Sequence, residues 1–107
     1  MARPGPNGGT FQVHCSGLIL EDFKQIQKRA KEEGRGEQVL LASHHALHQL
    51  SYDPTEFGEP LYRLPAMRLR VRHAAVGPLV IHFAVHDQMP LVFIKGVSIL
   101  PQKPLSR

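Results

Sequence analysis

Residues 60–101 decide the fold: PLYRLPAMRLRVRHAAVGPLVIHFAVHDQMPLVFIKGVSILP. The stretch contains three runs that are rich in Val, Ile, Leu and Phe, residue types that β-strands favour. Turn-forming sequences at 75–78 (AVGP) and 87–90 (DQMP) separate the runs. Because short connections join consecutive strands, the stretch predicts an antiparallel meander.

The alternation of residue types predicts the register of the first two runs. Apolar residues alternate with arginines in the first run and with polar or small residues in the second. The large apolar side chains share one face when Val71 lies opposite Ile81. A slip of one residue would place arginine in the core, so burial selects this register. The same register puts Arg70 opposite His82 on the other face.

The second hairpin is predicted to extend both faces. Pairing Phe83 with Ile94 keeps the apolar side chains together and places Lys95 opposite His82. The sequence therefore predicts a row of three basic residues across the uncovered face of the sheet, with three more beside it. The row consists of Arg70, His82 and Lys95, and the flanking residues are Arg68, Arg72 and His86.

The residues before the meander are predicted to cover the other face of its sheet. Residues 1–10 are rich in Gly and Pro and are expected to form a flexible tail, whereas residues 11–15 alternate as a short strand does. Ser16 is a suitable N-cap for a helix that Gly34 ends. Its buried face is predicted from 4-3-4 spacing. That face comprises Ile19, Phe23, Ile26 and Ala30.

A second helix is predicted from about residue 37 to residue 50, where Asp53 precedes a proline and the helix must stop. Two helices joined by a short Gly-containing turn form an αα-hairpin. The predicted fold class is α+β with the order β-α-α-β-β-β, in which the αα-hairpin packs on one face of a small antiparallel sheet. A single domain is expected at residues 11–101, followed by a short C-terminal tail at 102–107.

The composition is that of an ordinary globular domain with a basic surface. The chain has 107 residues, of which 42% are hydrophobic and 21% charged. Its net charge of +4 favours an acidic partner such as nucleic acid. Cys15 is the only cysteine, so no internal disulfide forms and a cytoplasmic location is expected. No apolar run approaches the roughly 18 residues that span a bilayer, so we expect no membrane association.

The predicted row of basic residues suits a phosphodiester substrate. Arginine offers phosphate oxygens a planar fork of donors, and histidine can accept or donate a proton near neutral pH. Together these groups could promote attack of an RNA 2′-hydroxyl on the adjacent phosphate, with arginine or lysine stabilising charge on the phosphoryl oxygens. This chemistry needs no metal or cofactor. The alternative is that the open face of a sheet simply carries solvated polar residues.

Three histidines on the second predicted helix have the spacing of metal ligands. His44 and His48 are one helical turn apart, as in zinc-binding helices, but no glutamate stands between them and no further ligand cluster follows. Leu41, His45 and these two residues form a stripe opposite the core-facing side. Such a stripe suits solvent exposure or the docking of a partner helix.

The order of these segments and their local sequences resemble the RelE/ParE superfamily of bacterial toxins from type II toxin–antitoxin systems. Residues 47–54 (LHQLSYDP) and 57–64 (FGEPLYRL) are similar to the family's helix end L-x-x-(D/N)-P and its following G-x-P segment. Residues 68–72 (RLRVR) resemble its arginine-bearing strand, and residues 77–85 and 92–101 its last two strands. The resemblance covers roughly residues 11–101.

The resemblance implies one of two activities. RelE-like members are nucleases that cut mRNA in the ribosomal A site with residues on the open sheet face, whereas ParE-like members poison DNA gyrase. Both kinds are neutralised by a cognate antitoxin. We expect a RelE-like mRNA interferase, an endoribonuclease that binds the ribosome and mRNA and inhibits translation. Arg70, which matches the family's sheet arginine, would be catalytic with His82 and Lys95, and Arg68, Arg72 and His86 would bind RNA.

Departures from the family pattern favour an alternative. Residues 102–107 contain no tyrosine, and the linker before the sheet lacks a lysine pair, offering only Glu56 and Glu59. The alternative interpretation is a ParE-like gyrase-binding toxin or a degenerate toxin fold that binds without catalysis. A third is a basic RNA-binding module that does not cleave its ligand.

Overall fold

A computed structural model describes residues 11–100. Two helices pack against a five-stranded mixed sheet, so the chain is α+β in kind. The elements are β1 (Gln12–Cys15), α1 (Gly17–Glu32), α2 (Gly36–Tyr52), β2 (Glu59–Leu64), β3 (Leu69–Val76), β4 (Leu79–His86) and β5 (Leu91–Ile99), with 3-10 turns at Pro54–Glu56 and Pro65–Met67. The tails expected at residues 1–10 and 102–107 lie outside the described residues.

The start and end of α1 and the end of α2 follow local signals in the sequence. The backbone N–H of Ile19 donates to the Ser16 hydroxyl at 3.2 Å, which confirms the predicted N-cap of α1. Gly34 adopts a φ of 78° just after α1, a left-handed conformation that glycine reaches without a steric penalty. Helix α2 extends two residues beyond the predicted end and stops before Pro54. These signals lie within a few residues of each helix end, which is why the sequence reveals them.

The main core lies between the two helices and one face of the sheet, called here the helix-side face. Phe83 and Ile81 of β4 pack with Ala46 and Leu50 of α2, and all four are fully buried. Phe57, from the loop before β2, stacks on Phe83 with ring centroids 5.7 Å apart. The predicted core-facing side of β4 is therefore confirmed.

The sheet differs from the predicted antiparallel meander in two ways. Its order is β1-β5-β4-β3-β2, and β1 pairs with β5 in parallel, so the sheet is mixed. The first predicted run divides into two strands, β2 and β3, because the 3-10 turn at Pro65–Met67 interrupts it. A residue with positive φ, Arg68, then reverses the chain into an antiparallel pairing of β2 with β3.

The register predicted for β3 and β4 is wrong. Val76 pairs with Leu79, so the connection is a two-residue turn with Gly77 at positive φ and Pro78 after it, rather than a four-residue loop. Val71 consequently lies opposite Ala84 instead of Ile81. The shift is three residues, an odd number, and it moves every β3 side chain to the opposite face from the one predicted.

The face of the sheet away from the helices, called here the outer face, carries its own small hydrophobic cluster. Leu69, Val71 and Ala84 are buried there, and Leu64 and Phe93 pack against them. This outer cluster explains why the apolar residues of β3 need not face the helices. Both faces of the sheet bury apolar surface, whereas the prediction assumed that only one did.

Candidate functional site

The structure does not bring the predicted row of basic residues together. Arg70 lies opposite Val85 and Arg72 opposite Phe83, so both arginines belong to the helix-side face. His82 lies on the outer face, opposite His73. The predicted pairing of Arg70 with His82 is therefore wrong, and its cause is the shifted register of the β3–β4 hairpin.

The β4–β5 hairpin is closer to expectation. Phe83 pairs with Ile94 as predicted, but Gly96, not Lys95, lies opposite His82. Lys95 is the extra residue of a bulge between these two pairs, and its side chain is exposed. It remains next in sequence to Gly96, the residue that lies opposite His82.

Two histidines form the centre of the outer face and are called here the histidine pair. The rings of His73 and His82 stack with centroids 5.8 Å apart and planes inclined by 28°. Both residues are partly exposed, so solvent and ligands can reach them. Sequence reasoning missed His73, although the Gly-Pro sequence at 77–78 would have revealed it if read as a two-residue turn.

A second ring stack lies on the neighbouring strands. His14 of β1 pairs with Phe93 of β5, and their rings stack with centroids 5.4 Å apart. Phe93 lies opposite Ala84, two residues from His82 along β4. The outer face thus presents four histidines and an aromatic ring on four adjacent strands, the fourth histidine being His86 of β4, opposite Leu69 of the outer cluster. Among the described strands, β1 pairs with β5 alone and in parallel, and sequence spacing gave no signal for this long-range pairing or for His14.

His86 accepts hydrogen bonds within the turn between β4 and β5, a structural role that the sequence did not predict. Its Nδ1 atom accepts the backbone N–H groups of Gln88 at 3.1 Å and Met89 at 3.0 Å. Nδ1 must be unprotonated to accept these bonds, so the neutral ring carries its proton on Nε2. The imidazole thereby fixes the turn between β4 and β5, and only Nε2 remains to act as a donor.

Two of the predicted arginines, Arg68 and Arg70, lie around that same turn together with Arg63, which the sequence analysis did not single out. Asp87 receives an ion pair from Arg63 at 3.2 Å and another from Arg70 at 3.0 Å. Arg68 donates to the side-chain oxygen of Gln88. We call Arg63, Arg68, Arg70 and Asp87 the arginine cluster.

Arg72 is separate from this cluster. Its guanidinium donates to the carbonyl oxygens of Phe57 at 2.9 Å and Gly58 at 2.8 Å. It therefore ties the loop before β2 to β3. Two of its donors are committed to the backbone, which leaves less of the guanidinium fork for the RNA-binding role that the sequence predicted.

Other candidate groups show no arrangement for chemistry. Within residues 11–100, no three His, Cys, Asp or Glu side chains are placed to hold a metal ion. His48 stacks on Tyr52 with ring centroids 5.5 Å apart, and its neighbours His44 and His45 are exposed on α2. Burial raises the pKa of the Cys15 thiol, so that group is less nucleophilic at neutral pH than a free thiol.

Comparison with protein-family models, curated proteins and solved structures found no match for the chain. Neither described helix has the length and apolar character needed to cross a membrane. The functional assignment therefore depends on the geometry of the outer face and on the resemblance of the sequence motifs.

Proposed function

We propose that the chain is the toxin component of a type II toxin–antitoxin system, a RelE-like, ribosome-associated mRNA endoribonuclease that inhibits translation. The supporting observation is the histidine pair, two stacked imidazoles on adjacent strands, on the face of the sheet that neither described helix covers. Lys95, on the next strand, adds a positive charge. A cognate antitoxin would be the partner that neutralises this activity.

The histidine pair can supply both proton transfers of RNA cleavage. One imidazole takes the proton of the 2′-hydroxyl as the 2′-oxygen attacks the adjacent phosphorus. The other, protonated, donates to the 5′-oxygen as the P–O5′ bond breaks. The products are a 2′,3′-cyclic phosphate and a 5′-hydroxyl, and the enzyme recovers its original charge when the two imidazoles exchange protons with solvent.

Lys95 would stabilise the extra negative charge on the phosphoryl oxygens during this transfer. An ammonium group serves as a mobile point charge, and the exposed position of Lys95 at a bulge gives its side chain freedom to follow the phosphate. His82 keeps the catalytic role expected from the sequence, His73 replaces Arg70 as its partner, and Arg70 loses that role. No metal or cofactor takes part in these steps.

The test is primer extension on ribosomes programmed with a defined message, comparing the parent with His73→Gln and His82→Gln. Each substitution is expected to slow cleavage by about 10²-fold or more, because each removes one proton transfer. His45→Gln, on the exposed side of α2, is the matched control and should cleave normally. Normal cleavage by both outer-face variants would place the chemistry elsewhere, and intact message with the parent at every codon would reject the nuclease.

A second candidate function is a ParE-like or degenerate toxin that binds a protein target without cutting RNA. The position of the arginines favours this alternative, because Arg70 and Arg72 lie on the helix-side face rather than the outer face. There Arg70 pairs with Asp87, and Arg72 holds the loop before β2. This alternative predicts intact message. Inhibition of gyrase supercoiling by the purified chain would support the ParE-like branch, and inhibition of neither process would support the degenerate one.

A further inference from the structure

The arginine cluster holds more positive charge than its single carboxylate can balance. Arg63 and Arg70 lie directly opposite each other on β2 and β3, an arrangement of like charges that is unfavourable without an anion between them. Asp87 supplies that anion. Arg68 donates to the neutral side-chain amide of Gln88, so the cluster contains three guanidinium charges and one carboxylate charge.

One donor of the cluster lacks a well-aligned acceptor. The Nε atom of Arg70 is within 3.0 Å of Oδ1 of Asp87, but the contact does not have the angle of a hydrogen bond. This Nε is buried and has no hydrogen-bond partner among residues 11–100. A buried donor without a well-aligned acceptor is costly, so Asp87 holds Arg70 less firmly than a hydrogen-bonded, two-point carboxylate pair would.

The rest of the cluster is accessible. The side chain of Arg63 is 61% exposed and that of Arg70 39%, whereas the side chain of Asp87 is 25% exposed. The arginines are therefore more open to solvent than the carboxylate that holds them. An incoming anion can reach the guanidinium groups without disturbing the main core, and it competes with Asp87 for them.

We propose that the arginine cluster is a second anion-binding site, which takes a phosphate of a single-stranded RNA backbone and is partly masked by Asp87. A phosphodiester brings one charge and two non-bridging oxygens, which match the fork of a guanidinium. The choice of RNA as the ligand rests on the proposed function. The anion site itself does not, because it is derived from charge and geometry alone.

The cluster and the histidine pair lie on opposite faces of the sheet. Arg70 and His73 are three residues apart on β3, which corresponds to about 10 Å along an extended strand. β2 is an edge strand, so an RNA chain that contacts both sites passes around this edge. The cluster would therefore hold the RNA backbone away from the scissile bond and contribute to binding rather than to proton transfer.

The experiment measures fluorescence anisotropy of a short, labelled, 2′-O-methyl RNA, which cannot be cleaved, over a salt titration. Asp87→Asn is expected to tighten binding about fivefold at low salt, the effect of removing one unit charge at about 4 Å in water. Asp22→Asn, on the exposed surface of α1, makes the same change in net charge and is the matched control. Equal tightening by the two variants would mean that only net charge matters and would overturn the proposal.

Arg63→Ala provides a variant whose folding is not in question, since its side chain is mostly exposed. It should weaken binding and reduce the slope of log affinity against log salt by about 0.7, the value for one phosphate contact on a single strand. Arg29→Ala on α1 is its control and should change neither quantity by as much. An unchanged affinity and slope for Arg63→Ala would remove the cluster from the RNA-binding surface.

Competition and cleavage assays separate this proposal from the proposed function. Displacement of the labelled RNA by inorganic phosphate as readily as by unlabelled RNA, at equal phosphate concentration, would overturn the assignment to a nucleic-acid backbone. Loss of cleavage in the His73 and His82 variants with normal RNA binding would leave the cluster intact as a binding site. Normal cleavage with unchanged affinity in Arg63→Ala would reject the cluster and leave the nuclease standing.

Discussion

Among the glycines in the part of the chain that the structure describes, Gly58 is the one where an added methyl group should destabilise the fold most. Its φ is 74°, and a Cβ atom built there would lie 2.1 Å from the backbone oxygen of His73 and 2.8 Å from the Cβ of Ala74. Real Cβ atoms do not approach other atoms so closely, so Gly58→Ala must push the loop before β2 away from β3. The neighbouring atoms are backbone or short side chain and cannot move aside alone.

Two contributions set the loss of stability expected for Gly58→Ala. A left-handed backbone costs a non-glycine residue about 1 to 2 kcal/mol. Moving the loop also weakens the bonds from Arg72 to the carbonyl oxygens of Phe57 and Gly58, which are 2.9 and 2.8 Å long. Bonds from a charged donor contribute about 1.5 to 3 kcal/mol each. We expect Gly58→Ala to lower the free energy of unfolding by about 3 to 5 kcal/mol, a large part of the stability of a small domain.

Gly34→Ala is the matched control for this substitution. Gly34 has nearly the same φ, 78°, but a Cβ atom there meets nothing within 4 Å. Gly34→Ala should therefore lower the free energy of unfolding only by the cost of the left-handed backbone, about 1 to 2 kcal/mol. Urea unfolding followed by far-UV circular dichroism gives both values, since the chain has no tryptophan for fluorescence. Equal losses for the two variants would refute the close approach of Gly58 to β3.

Three further substitutions or treatments test the core, a helix cap and the thiol. Phe83→Ala should lower the free energy of unfolding by about 3 to 5 kcal/mol because the Phe83 ring is fully buried. Arg70→Ala should lower it by about 1 kcal/mol or less. Denaturant melts that gave the reverse order would contradict the assigned faces. Ser16→Ala should cost about 1 kcal/mol through loss of its bond from Ile19, with Ser16→Asp as the variant that restores stability. Since burial raises the pKa of the Cys15 thiol, the pH midpoint for alkylation of this thiol should be higher in the folded chain than in urea. The stability that the protonated thiol contributes should be lost as pH rises from the unfolded to the folded midpoint. Coincident midpoints would show that the thiol is fully solvated.

Local signals in the sequence were sufficient for the two helices and for part of one hairpin, up to the bulge at Lys95. Ser16 caps α1 through a residue three positions away, and Pro54 ends α2 through its effect on the residue before it. The pairing of Phe83 with Ile94 followed from burying large side chains of adjacent strands on one face. In each case the deciding interaction is either within one turn of helix or between neighbours in a short hairpin.

The register of β3 on β4 shows where sequence reasoning failed. Alternation in β3 is compatible with either face being buried, and the prediction chose the helix-side face because it assumed one core. The structure buries Val71 and Ala84 in the outer cluster and satisfies Arg72 with loop carbonyls on the helix-side face. Two signs of this arrangement stand in the sequence: the Gly-Pro pair at 77–78, which suits a two-residue turn, and the small side chain of Ala84, opposite Val71.

The sequence by itself determined the helices, the α+β class, the core-facing side of β4 and the basic character of the surface, because these depend on composition and on contacts between near neighbours. The tertiary structure alone decided which side chains meet. The two-residue turn at Gly77 brought His73 beside His82, and parallel pairing placed His14 on Phe93. It also drew Arg70 to Asp87 on the other face. Strand register has a period of two residues, so one turn residue more or less exchanges the faces of a whole strand, and only the packing of both sheet faces selects between them.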